Sequence, residues 1–191
     1  MKTVVYMVRH GESPKNDRNE RTRGLTAQGI IDAHQVTLLL KNEAIDVFVS
    51  SPYERAVLTI KELAHSLGRK IIRFEDLKER MFTSGNQTLS NEELAALLKR
   101  SFHDPKYALH GGESNEVCQR RAVRVLLDLI NTYQGKKIAI GTHGAVMTLM
   151  MGYFDHSYNL NFLLQTSKPD VYRLDFDGLK LINVRRLWPN G

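Results

Sequence analysis

The chain has 191 residues, 42% of them apolar and 25% charged, which suits one domain with a real core and makes disorder an unlikely default. A single cysteine, Cys118, excludes an internal disulfide and a cysteine-based zinc site. The net charge of +6 favours anionic partners: nucleic acid, acidic membrane or phosphorylated small molecules. The cations are scattered, densest from Arg18 to Arg23, a layout that suits a pocket better than a groove for a nucleic acid. No apolar run reaches the roughly 18 residues of a membrane span, and Met1-Lys2 leads straight into a strand rather than a signal segment. The expectation is a cytoplasmic protein with neither membrane nor nucleic-acid partner; oligomeric state has no sequence signal.

Thr3 to Val8 is an apolar run that predicts a buried strand, ending at Arg9-His10-Gly11. Glu12 to Gly24 is polar and reads as a loop. Thr26 predicts an N-cap, with Ile30, Ala33, Val36 and Leu40 following at helical spacing. Asp46 to Val49 predicts a second strand, closed by Ser50-Ser51-Pro52, with Pro52 in the first turn of the next helix. That helix carries Ala56, Val57, Ile60, Ala64 and Leu67 and stops at Gly68. Lys70 to Phe74 predicts a less apolar third strand near a sheet edge, followed by Leu77-Lys78-Glu79-Arg80 and a polar patch around Gly85, Asn86 and Gln87. A helix is expected over Asn91 to Phe102 and a loop over His103 to Gly112. Ser114 caps a long helix with Cys118, Ala122, Val125, Leu126, Leu129 and Ile130 on one face. Ile138 to Ile140 predicts a strand ending at Gly141-Thr142-His143-Gly144, and an apolar helix follows. Val171 to Phe176 and Leu179 to Val184 flank Asp177-Gly178, a two-residue hairpin signal.

Strand–helix alternation of this kind predicts an α/β three-layer sandwich: a mostly parallel sheet, helices on both faces, and a C-terminal antiparallel hairpin. The expected organisation is one domain over 1–191 with a small helical insertion at about 82–112. In a parallel sheet the four segments after the four strands meet at the carboxyl edge. His10, His143, Arg9, Arg55 and Glu79 would then share one crevice. This set suits phosphoryl transfer, because charge spread over phosphoryl oxygens is stabilised by fixed cations and N–H donors. Arg9 and Arg55 offer planar forks of donors, His143 and Asn16 further hydrogen bonds, and backbone N–H groups at the helix start near Gly144 still more. His10 attacks as neutral imidazole, and Glu79 protonates the leaving oxygen and later takes a proton from water. Glu79 could instead pair with Arg80 or Arg55, leaving Glu12 or Glu113 as the acid.

The start Arg9-His10-Gly11-Glu12 resembles the histidine phosphatase superfamily, in its phosphoglycerate-mutase-like branch. The likeness extends to Asn16, Leu25-Thr26 with Gly29, Ser50-Ser51-Pro52 with Arg55, Ala56 and Thr59, Leu77 with Glu79, Gly111-Gly112-Glu113-Ser114, and Thr142-His143-Gly144. Arg-His-Gly alone is a common triplet; the ordered series is specific. The resemblance implies His10 as the phosphorylated nucleophile, Arg9, Arg55 and His143 as the phosphate pocket, Asn16 as a pocket donor and Glu79 as the proton donor. It also implies a metal-independent reaction without cofactor.

Two departures separate the chain from the family's mutases. The segment between Asn16 and Leu25 is shorter and charged, and the stretch between Glu79 and His143 is shorter. A mutase must hold a bisphosphate while it reorients, whereas a smaller pocket admits water. The reading is a histidine acid-type phosphatase acting on a small phosphorylated substrate. The rivals are a phosphoglycerate mutase and a non-catalytic phospho-ligand-binding module. Arg21 and Arg23 are candidates for a substrate carboxylate or second phosphate, against a background reading as solvated charges. His103 and His110 flank a loop that could roof the pocket, and Cys118 reads as core.

Overall fold

A computed structural model of the chain describes residues 1–84 and 87–189. The predicted polar patch at Gly85 and Asn86 lies outside the described residues. Strand β1 spans Lys2–Arg9, β2 Val47–Ser50, β3 Ile71–Arg73, β4 Lys137–Thr142, β5 Asp170–Asp177 and β6 Lys180–Arg186. They form one sheet in the order β3-β2-β4-β1-β5-β6. The first four are parallel; β5 runs antiparallel to β1, and β6 to β5.

Both faces of β1 are buried, which explains why its residues are apolar without alternation. Val4, Tyr6 and Val8 face helices α1 (Ala27–Leu40) and α2 (Glu54–Ser66) through Val36, Leu40, Ile60 and Leu63. Val5 and Met7 face α4 (Asn115–Thr132) and α5 (Gly144–Phe154) through Cys118, Leu126, Ile130, Val146 and Met150. Three layers result, as the alternation predicts. Helix α3 spans Asn91–His103 and is opened by a reciprocal capping box between Ser90 and Glu93. Thr26 and Ser114 cap α1 and α4 by accepting from the N–H groups of Gly29 and Val117. Among the described residues, no helix is long and apolar enough to cross a membrane.

The structure corrects several local expectations. Ile30 is 62% exposed, because the buried stripe of α1 runs through Gly29, Ala33, Val36, Thr37 and Leu40 and Ile30 lies beside it. Pro52 precedes the N-cap Tyr53 instead of entering α2. The hairpin turn is shifted by one residue: Asp177 pairs with Lys180, so Gly178 and Leu179 are central. Gly178 takes φ of +55°, the sign required at the first central position of a type II′ turn. A short helix, α6 (Leu160–Gln165), and a 3₁₀ turn at Glu75–Leu77 lack the length to leave a periodic signal.

Ile60, fully buried between α2 and the sheet, should lose about 2–5 kcal/mol of stability when cut to alanine. Ile30→Ala should stay within about 0.5 kcal/mol. Urea denaturation of both variants checks this, and an equal loss at the two positions would contradict the packing described.

Candidate active site

The β1–β4 pairing ends at Arg9 opposite Thr142, and the β2–β4 pairing at Ser50 opposite Gly141. The carboxyl ends of three neighbouring strands are thereby level. The His10 N–H donates to the Thr142 carbonyl at 2.9 Å, extending the ladder one residue past Arg9. His10 and His143, each just past its strand, lie edge to face with ring centroids 5.2 Å apart.

His10 is buried, and its Nδ1 sits 2.7 Å from the carbonyl oxygen of Gly11. A carbonyl can only accept, so Nδ1 carries the hydrogen and Nε2 the lone pair. Arg55 Nε donates to that Nε2 at 3.3 Å. Burial, followed by the charges of Arg55, Arg9 and Lys168, holds the His10 imidazolium well below the ordinary 6.5, with the Gly11 bond opposing part of the shift. His143 is pushed down in the same way by burial, Arg55, His10 and Arg9. Its Nε2 lies 2.7 Å from Ser51 Oγ, while its buried Nδ1 has no partner among the described residues. Both imidazoles are therefore neutral at physiological pH.

Arg9 donates through Nη1 to the carbonyl oxygen of Thr166 at 3.1 Å and to the Thr166 hydroxyl, and its buried Nε is unpartnered among the described residues. Its guanidinium packs against Gly144 at the start of α5. A Cβ on Gly144 would come within 2.9 Å of Arg9 Cζ, so the glycine makes room for the cation. Burial weakens the proton's hold on Arg9, and the negative charges of Glu79 and Asp170 offset this. Arg55 is 2% exposed. It sits over the Tyr53 ring and donates to Glu20 twice, to the backbone oxygen at 2.8 Å and to Oε2 at 2.7 Å. The other oxygen of Glu20 pairs with Arg23 Nη2 at 3.0 Å. A carboxylate of the chain itself thus bridges two arginines beside His10.

Glu79 follows the 3₁₀ turn. Its Oε1 accepts from the N–H groups of Arg80 (2.8 Å) and Val146 (2.9 Å), and Oε2 from that of Ala145 at 3.1 Å. The first free donors of α5 therefore hold the carboxylate, where the helix dipole favours negative charge. The N–H groups of Ala145 and Val146, expected to offer donors to the phosphate, are bonded to Glu79 instead. The competing acids point elsewhere. Glu12 is exposed and accepts from the Thr26 hydroxyl, and Glu113 is buried against Arg121.

Arg9, His10, Arg55, Glu79, His143 and Gly144 come together at one sheet edge. Arg23 joins them through Glu20. Asn16 is exposed, and no hydrogen bond among the described residues ties its side chain to this cluster. Arg21 points outward, with Nη2 2.5 Å from Glu75. Sequence reasoning missed Glu20, Thr166 and Lys168. Glu20 lay in the segment singled out for its charges. Thr166 and Lys168 precede β5, which starts at the edge where β1 ends because the two strands are antiparallel and Asp170 pairs with Arg9.

The chain is similar over most of its length to known proteins. A 2,3-bisphosphoglycerate-dependent phosphoglycerate mutase of Borreliella burgdorferi is 28% identical over 217 residues, covering 91% of this chain and 87% of the relative. An uncharacterized phosphatase, PhoE, of Bacillus subtilis is 27% identical over 154 residues, covering 78% and 76%. The solved mycobacterial glucosyl-3-phosphoglycerate phosphatase superposes with a TM-score of 0.78 over 98% of this chain and 99% of that one, at 18% identity, which establishes the shared fold. The family description that matches residues 5–185 is the histidine phosphatase superfamily, branch 1, and the chain belongs to that family.

Proposed function

We propose that the protein is a cytoplasmic, metal-independent phosphatase that hydrolyses small phosphate monoesters through a phosphohistidine on His10. The observation that carries this reading is the His10 Nε2 lone pair, fixed by the Nδ1 bond to Gly11 and flanked by Arg9, Arg55 and His143. In the first step Nε2 bonds to phosphorus as the ester oxygen departs with a proton from Glu79. In the second, water attacks the phosphohistidine, Glu79 takes the water's proton, and inorganic phosphate leaves with His10 neutral again. The guanidiniums of Arg9 and Arg55 supply the positive charge that the equatorial oxygens require, which supports independence from a metal. Arg9 Nε is a buried donor that a phosphoryl oxygen would satisfy, and so is His143 Nδ1 in the tautomer that carries its hydrogen there.

A mutase is the alternative favoured by the Borreliella relative. The short Asp17 to Gly24 segment favours hydrolysis, because Glu20 folds onto Arg55 and Arg23 and narrows the space in which a bisphosphate would have to turn.

Phosphate release from p-nitrophenyl phosphate, 3-phosphoglycerate and phosphoserine tests the reading, with EDTA present. Release without isomerisation of 3-phosphoglycerate is expected; isomerisation would favour the mutase, and inhibition by EDTA would remove metal independence. His10→Ala should lower turnover by about a thousandfold or more, as removal of a covalent nucleophile does. Because His10 stays neutral in acid, the acidic limb of kcat/KM should fall well below pH 6.5 once the substrate's own ionisation is divided out; a limb at or above 6.5 would contradict the neutral nucleophile. Glu20→Gln removes the carboxylate that competes for Arg55, so inorganic phosphate should inhibit at several-fold lower concentration. Unchanged or weaker inhibition would show that Glu20 does not compete with phosphate.

A further inference from the structure

We infer that Arg121, locked by Glu113, is a positioning residue that aims the proton donor Glu79; the inference rests on the reading of Glu79 as that donor. Glu79 lies just past the 3₁₀ turn, whose backbone hydrogen bonds run from Leu77 to Phe74 and from Lys78 to Glu75. Arg121, on α4, ties this stretch from the side. Its Nη1 donates to the carbonyl oxygens of Asp76 (2.6 Å) and Lys78 (2.9 Å), and its Nη2 to that of Glu79 itself at 3.3 Å. One guanidinium therefore gathers three carbonyls of the turn, including that of the residue it would aim.

Arg121 is itself held. Glu113 Oε1 accepts from its Nε at 2.9 Å, and Oε2 from its Nη2 at 2.5 Å. The same Oε2 accepts from the Met81 N–H at 2.9 Å, and the Glu113 N–H donates to the Met81 carbonyl at 2.8 Å. Arg80 adds a second tie, from Nε to the Glu113 carbonyl at 3.0 Å and from Nη2 to Ser101 at 2.9 Å. The turn is clamped on both sides of Glu79, whose carboxylate then meets the N–H groups of Ala145 and Val146.

A stability role alone explains this arrangement poorly. The Arg121 and Glu113 side chains are 11% and 7% exposed, and desolvating such a pair costs about as much as the pairing returns. Apolar residues could fill the same gap, but they could not gather three carbonyls. A general acid needs that fixation, since it must lie within hydrogen-bond reach of the departing oxygen.

The test uses leaving groups. p-Nitrophenolate departs without a proton, whereas the alkoxide of glycerol phosphate needs one. Arg121→Lys keeps the charge and loses the fork. The double variant Glu113→Gln with Arg121→Met removes both charges of the ion pair together and carries the same test should the single variant not fold, as judged by circular dichroism. Turnover of glycerol phosphate should fall about a hundredfold, and that of p-nitrophenyl phosphate by less than about threefold. Adding Arg121→Lys to Glu79→Gln should cost little more than Glu79→Gln alone. Equal losses on the two substrates, no loss on either, or a fully additive loss in the combined variant would overturn the inference. Glu79→Gln alone separates the two claims: if it spares glycerol phosphate, the role of Glu79 fails; if it is selective and Arg121→Lys is not, only the positioning role fails.

Discussion

The parallel pairing of β1 with β4 is the constraint on which the site depends. It places Arg9 opposite Thr142 and makes the His10 N–H the last rung of the ladder, so two histidines that are 133 positions apart in the chain become ring neighbours. Parallel strands level their carboxyl ends, and β2, on the far side of β4, brings Ser51 to His143 and, through α2, Arg55 to His10. A slip of one residue in this register would turn Val5 and Met7 out of one core and Tyr6 and Val8 out of the other, so packing on both faces enforces the alignment. The geometry of the chemistry is inherited from the core.

The second organising feature is how buried charge is held. Arg55 is capped by Glu20, Arg121 by Glu113, and Glu79 by the N–H groups of α5. Buried cations without such partners would be costly. Arg9 and His143 are different. Each keeps a buried polar atom unpaired among the described residues, and the His143 ring lies against that of His10. Burial that would be a fault elsewhere is useful here, because it keeps both imidazoles neutral and strengthens each interaction with a bound anion.

The strand ends were legible in the sequence because each short apolar run stops at an unusual residue set and parallel sheets gather those stops at one edge. Arg9, His10, Arg55, Glu79 and His143 all lie at such stops. Contacts set by loop conformation leave no such mark. Glu20 carries the same charge as its neighbour Asp17, and nothing in the spacing says which carboxylate turns inward. Thr166 and Lys168 enter only because β5 lies beside β1, a neighbour relation that follows from topology. Ile30 obeys helical spacing yet is exposed, since its spacing fits the stripe while the buried position in that turn is Gly29, whose missing side chain gives no apolar signal. The hairpin is displaced by one residue because its turn follows the pairing of Asp177 with Lys180, with a bulge beyond it near Asp175 and Phe176. The donors of α5 were legible as donors, but their acceptor, Glu79, was not.

The central claim is that His10 Nε2 becomes covalently bonded to phosphorus. Rapid acid-free quenching during turnover of a phosphorus-labelled ester, followed by peptide mapping, tests it directly. The account predicts a label that is stable in base, lost in acid and carried by the peptide containing His10. A protein that releases phosphate at full rate with no label on His10 would contradict it.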